Sequence, residues 1–232
     1  MKYILGITLL LMFFPAFTQP QAQDWPNLTR YKDANTKVGL PTANEDRVVF
    51  MGNSITDGWI NAVPEYFAGR AYIDRGISGQ TTPQMLIRFR QDVIDLKPKV
   101  VVILAGTNDI AGNTGPSTLE MIEDNLESMA VLAKAAGIQV ILSSVLPVYD
   151  YPWKPGLQPA EKIITLNKWI KNYAIQNDCF YLDYFPSVVD DRNGMKAEYS
   201  KDGVHPNAAG YKVMGALADK VIATALQKAN NK

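Results

Sequence analysis

The sequence predicts an α/β domain with a doubly wound parallel sheet, and three observations carry that prediction. Short apolar runs rich in valine and isoleucine recur along the chain, segments with one apolar helical face separate them, and polar glycine-containing motifs follow the runs directly. The predicted strands are Val48–Met51, Ala71–Ile73, Val100–Ala105, Ile138–Leu146 and Phe180–Leu182. Runs that are continuously apolar, not alternating, suit strands buried on both faces.

The helices follow in order. Thr82-Pro83 reads as a cap followed by a first-turn proline, opening a helix to about Asp95. Leu119, Ile122, Leu126, Met129, Ala130 and Ala133 share one helix face, with Ser117 and Glu120 as a capping box. Another helix is predicted from about Ala160 to Gln176. The last carries Met214, Leu217, Ala218, Val221 and Ala225 on one face, with Asn207 as its cap. Strand and helix thus alternate about five times, which requires right-handed crossovers.

With 232 residues, 47% of them hydrophobic and 20% charged, the chain has apolar material for one sizeable core. Twenty-three basic residues balance twenty-three acidic ones without a block of like charge, so the footprint of a nucleic-acid binder is missing. The expected partner is a small molecule or carbohydrate of little charge. Lys2, an apolar run from Tyr3 to Phe17 and a polar stretch containing Ala22 predict a cleavable signal peptide over residues 1–23. Export to the periplasm or beyond follows, without stable membrane insertion, because the run is too short for a span; an uncleaved anchor is the alternative.

Residues 24–45 are polar and mixed, and predict an N-terminal arm lying across a domain of residues 46–232. The single cysteine, Cys179, is far from the apolar run, so a lipoprotein is not expected; it opens a predicted strand, where a thiol is structural. No Cys/His pairs stand at ligand spacing, so no metal is predicted. Four prolines between positions 147 and 159 predict a rigid wall over a mobile lid.

The polar motifs fall where strand ends present loops and helix N-termini to a ligand. Gly52-Asn53-Ser54, Gly76-Ile77-Ser78-Gly79 and Gly106-Thr107-Asn108-Asp109 follow the first three strands, and Asp202-Gly203-Val204-His205 precedes the last helix. Serine is a weak nucleophile and needs a base, and His205 is the only imidazole in the chain. Asp202, three residues earlier, can orient that imidazole, and the backbone N–H groups of Ser54 and Gly79 with the Asn108 amide are candidate oxyanion donors. Taken singly, Ser54 is an ordinary helix cap, His205 a loop residue, Asn108 a turn cap and Gly79 a positive-φ hinge. Trp59, Tyr149 and Trp153 are candidate site-lining aromatics that packing would also explain.

Those four blocks, in this order and at these intervals, resemble the SGNH hydrolases, the GDSL esterase and lipase family. The match runs from about Arg47 to Tyr211. The resemblance implies a three-layer α/β/α sandwich, flavodoxin-like, on a five-stranded parallel sheet. It also implies a Ser54/His205/Asp202 triad, an oxyanion hole from Ser54, Gly79 and Asn108, and no cofactor. Within the family the chain is similar to secreted bacterial acetylesterases of the platelet-activating-factor-acetylhydrolase-like branch, several of which act on acetylated carbohydrates. One departure is Asn53, where the family expects aspartate. The expected activity is hydrolysis of a short-chain ester, such as an O-acetyl group on a carbohydrate. Two alternatives stay open: a lysophospholipase or thioesterase with longer acyl chains, and a flavodoxin-like binding module whose 54–58 turn cradles a phosphate.

Overall fold

The apolar runs assemble into one five-stranded sheet, and the computed structural model of the chain describes residues 23–231 of it. The predicted leader therefore lies outside the described residues but for Gln23. Among the described residues no helix is long and apolar enough to cross a membrane. In chain order the elements are α1 (Lys32–Val38), β1 (Val48–Gly52), α2 (Ser54–Asp57), α3 (Trp59–Ala62), β2 (Tyr72–Gly76), α4 (Thr82–Asp92), β3 (Val100–Leu104) and α5 (Thr107–Ile110). Then come α6 (Leu119–Ala135), β4 (Gln139–Ser143), α7 (Ala160–Gln176), β5 (Phe180–Leu182), α8 (Phe185–Val188) and α9 (Ala208–Asn230).

All pairings are parallel and the strand order is β2-β1-β3-β4-β5. Successive strand residues face opposite layers, which explains why both parities had to be apolar. Val49, Met51, Val101, Ile103, Val140 and Leu142 pack on α4, α6 and α7 through Phe89, Leu126 and Leu166. Val48, Phe50, Val100, Val102, Leu104 and Ile141 pack on α2, α3 and α9 through Ile55, Trp59 and Met214. The three-layer expectation is met. In this order the winding reverses between β1 and β3, which leaves a crevice at their carboxyl ends.

Element boundaries moved by local chemistry. Helix α6 is capped by Thr118, whose side chain accepts from Met121 N–H, and not by the Ser117/Glu120 box. At α4 the cap is Thr81, with Gln84 Oε1 accepting from Thr81 N–H, so Pro83 sits one residue deeper than expected. Asn207 caps α9 as read, accepting from Ala209 and Gly210 N–H. Trp59 is not a site residue: it is 2% exposed and stacks on Tyr66 and Tyr211 in the core. Cys179 lies just before β5, half-buried against the core, and burial raises its thiol pKa.

Residues 24–45 contain α1 and bond along α4 and the β2 end. Gln84 Nε2 donates to Trp25 O, Gln80 Nε2 to Pro26 O, Gln91 Nε2 to Leu28 O, and the Tyr31 hydroxyl to Gly76 O.

Candidate active site

Ser54 opens α2 directly after β1, so its side chain stands at the carboxyl end of the sheet. Asn53 caps the helix, its Oδ1 accepting from Ile55 N–H at 3.2 Å, a role that needs an acceptor but no charge. The short helix crosses the end of β2 closely: a Cβ on Gly76 would lie 2.0 Å from Asp57 N, so only glycine fits. Asp57 then ties α2 to the next loop, its Oδ2 accepting from the Ser78 hydroxyl at 2.6 Å.

The structure brings Ser54, His205 and Asp202 together. Ser54 Oγ lies 2.9 Å from His205 Nε2, and His205 Nδ1 lies 2.7 Å from Asp202 Oδ2. A neutral imidazole donating from Nδ1 to that carboxylate turns the lone pair of Nε2 toward the serine. The turn holding the pair is internally bonded: Asp202 Oδ1 accepts from Val204 N–H at 2.9 Å and from His205 N–H at 2.8 Å. Ser200, which no sequence signal marked, closes the turn with its Oγ accepting from Gly203 N–H at 2.9 Å. Burial raises the Asp202 pKa, but the His205 N–H, the His205 ring and the Val204 N–H together outweigh it and hold the carboxyl at about 2.

Gly79 has φ +80°, the left-handed region, and no heavy atom lies within 4 Å of where its Cβ would be. Its N–H and that of Ser54 have no hydrogen-bond acceptor among the described residues. Asn108 is buried on α5 after β3, and its Nδ2 donates one hydrogen to Gln80 O at 2.9 Å, which leaves the second amide hydrogen available. Its neighbour Asp109 has a structural role: it accepts from Thr82 N–H at 2.9 Å and from the Thr82 hydroxyl at 2.6 Å, anchoring the start of α4.

Behind these loops lies a guanidinium that sequence reasoning missed. Arg88 is fully buried, and donates to Gly52 O (2.9 Å), to Gln80 Oε1 (2.6 Å) and to Asp92 Oδ2 (3.0 Å). It thereby links the strand end before Ser54 to the loop holding Gly79. Nothing in an arginine on a predicted helix announces that contact.

Two buried carboxyls titrate in the opposite direction to Asp202. Burial drives Asp74, in the middle of β2, up to about 7 and Asp109 up to about 6. A folded-state pKa above the unfolded value means the folded chain holds the proton more tightly. Their stabilising contribution is therefore complete below about pH 4 and is lost as pH rises toward 7. That of Asp202 is present above about pH 4 and lost as pH falls toward 2. Asp74→Asn is accordingly expected to flatten the fall in stability between pH 5 and pH 8, by on the order of 2–3 kcal/mol. Thermal melts at both pH values check it; an unchanged slope would assign the dependence elsewhere.

The segment 147–159 is pinned. The Tyr151 hydroxyl donates to Thr107 O at 2.8 Å, Lys154 Nζ donates to Ala111 O at 2.9 Å, and Asp150 accepts from Tyr151 and Gly156 N–H. Of the candidate aromatics, Trp153 stands beside His205, with ring centroids 6.1 Å apart, while Tyr149 is exposed under the Arg192 guanidinium.

Residues 50–213 match the GDSL-like Lipase/Acylhydrolase family. The structure of a GDSL-like lipase from Bacteroides thetaiotaomicron superposes with a TM-score of 0.84 at 47% identity, covering 86% of this chain and 98% of that chain. The lipoprotein YqeF of Bacillus subtilis is 29% identical over 154 residues, 65% of this chain and 59% of that protein. An acetylxylan esterase of Xylanibacter ruminicola is 26% identical over 227 residues, 81% of this chain and 45% of that protein. The chain spans about half the length of these two sequence relatives.

Proposed function

The chain belongs to the GDSL-like lipase/acylhydrolase family, and we propose that it is a carboxylic ester hydrolase acting through Ser54, His205 and Asp202. The observation that carries this reading is the pair of contacts at His205, 2.9 Å to the serine hydroxyl and 2.7 Å to the carboxylate. Ser54 Oγ attacks the ester carbonyl carbon as His205 Nε2 takes its proton, and the C=O electron pair moves to oxygen. That oxyanion is received by the Ser54 and Gly79 N–H groups and by the free Asn108 amide hydrogen. Collapse breaks the bond to the alcohol oxygen, which leaves with the proton from His205. Water, deprotonated by the same imidazole, then attacks the acyl-enzyme and releases the acid. Asp202 stays ionised down to about pH 2, so it supports the imidazolium formed in each half-reaction.

The substrate in this reading is a short-chain ester, an O-acetyl group on a carbohydrate, and the name of the acetylxylan esterase relative supports it. With the leader over residues 1–23, the protein acts outside the cytoplasm, with the arm 24–45 strapped to the hydrolase domain 46–232.

A fluorophosphonate probe followed by peptide mapping tests the assignment. Labelling on Ser54 is expected; labelling of another serine, or none in active protein, would refute it. In a chain-length series, kcat/KM is expected to fall steeply from acetyl to decanoyl esters, and a rise would favour the longer-chain alternative.

A further inference from the structure

We infer that Trp153 is the platform for the alcohol side of the ester, and that the group it receives is a pyranose ring. The inference rests on the ester-hydrolase reading of Ser54, His205 and Asp202. In that chemistry the alcohol departs by taking its proton from His205 Nε2, so the ester oxygen must come within hydrogen-bond reach of that nitrogen. Whatever the oxygen carries then lies beside the imidazole. Trp153 stands beside the imidazole, its ring inclined 36° to that of His205 with centroids 6.1 Å apart.

Three features distinguish this indole from a packing residue. It is 45% exposed although it is the largest kind of apolar side chain, whereas Trp59 is 2% exposed in the core. Its support is fixed: the Tyr151 ring lies 5.1 Å away, Tyr151 is bonded to Thr107, and Lys154 is bonded to Ala111. Thr107 opens the helix that carries Asn108, so the indole and the oxyanion loop are held in one frame. A face held rigid before binding loses little entropy on binding.

The ligand class follows from the shape of this surface. A long alkyl group needs an apolar cleft that envelops it. Trp153 instead stands 45% exposed on an open surface beside His205, and the loop also carries exposed Tyr149 and the Asp150 carboxylate. A pyranose fits such a shelf, because its axial C–H face can cover the indole while its hydroxyls stay in water.

The test compares kcat/KM for acetylated xylo-oligosaccharides with that for ethyl acetate, in the wild type, Trp153→Ala and Trp153→Phe. Trp153→Ala is expected to lower the sugar-to-ethyl ratio about tenfold, mostly through KM on the sugar ester, and Trp153→Phe to restore most of it. A ratio that falls less than threefold overturns the inference. So does a fall that Trp153→Phe leaves in place, which would mark damage to the loop. A wild type that cleaves ethyl acetate but not the sugar ester overturns it and leaves the hydrolase reading standing; a wild type inactive on both esters removes that reading, and this one with it.

Discussion

Ser54→Ala is expected to lower kcat/KM for p-nitrophenyl acetate by on the order of 10⁴–10⁶, and His205→Ala by a similar factor, because the two act as one unit. Without Ser54 Oγ there is no acyl-enzyme; without Nε2, 2.9 Å away, the hydroxyl keeps its proton. His205 is the only histidine in the chain, so no neighbouring imidazole can replace it. Asp202→Asn should cost less than either, since that side chain is 42% exposed and its carboxylate stabilises the imidazolium partly through water. Asn108→Ala removes one of the three proposed oxyanion donors and is expected to lower kcat by about 10²–10³ with little change in KM. The order Ser54 ≈ His205 > Asp202 > Asn108, measured as kcat on one ester, is the signature of the proposed mechanism. Full activity in either of the first two variants would end it.

The sheet was legible in the sequence because burial on both faces forces every strand position to be apolar, and few other structures tolerate runs such as Val100–Leu104. The site was legible for a related reason. A parallel doubly wound sheet gathers its strand-end loops on one edge, so topology allows polar residues 151 positions apart, such as Ser54 and His205, to meet, and the family resemblance is what pairs them. Caps were read to within a residue, because Thr118 and Thr81 offer the same oxygen as their neighbours Ser117 and Thr82, and backbone geometry decides between them. Arg88, Gln80 and Ser200 were not legible. Their partners are backbone carbonyls and side chains from other elements, and such pairings leave no periodicity in the sequence. Trp59, five residues past Ser54, is near the site in sequence but turns into the core between the sheet and α9, against Phe50 and Tyr211.

Arg88→Met is expected to destabilise the fold by about 3–5 kcal/mol, lowering Tm by roughly 10–15 °C, because it leaves the Asp92 carboxylate buried without its cation. The cost comes mainly from the stranded charge and not from the lost attraction, since both members of the pair are wholly shielded from water. Arg88→Met/Asp92→Leu should therefore recover much of the Tm, as replacing both ions of a buried pair by apolar groups usually does. Asn35 limits the recovery, because its Nδ2 donates to Asp92 at 2.7 Å and would lose that acceptor. Activity should not recover in step. The double variant still lacks the guanidinium that joins Gly52 O to Gln80, and with it the brace between Ser54 and the loop carrying Gly79. Its kcat on p-nitrophenyl acetate is expected to stay at least tenfold below the wild type while KM moves little, because small misplacements of oxyanion donors act on the transition state. A double variant that regains stability and full kcat together would reduce Arg88 to half of a structural ion pair.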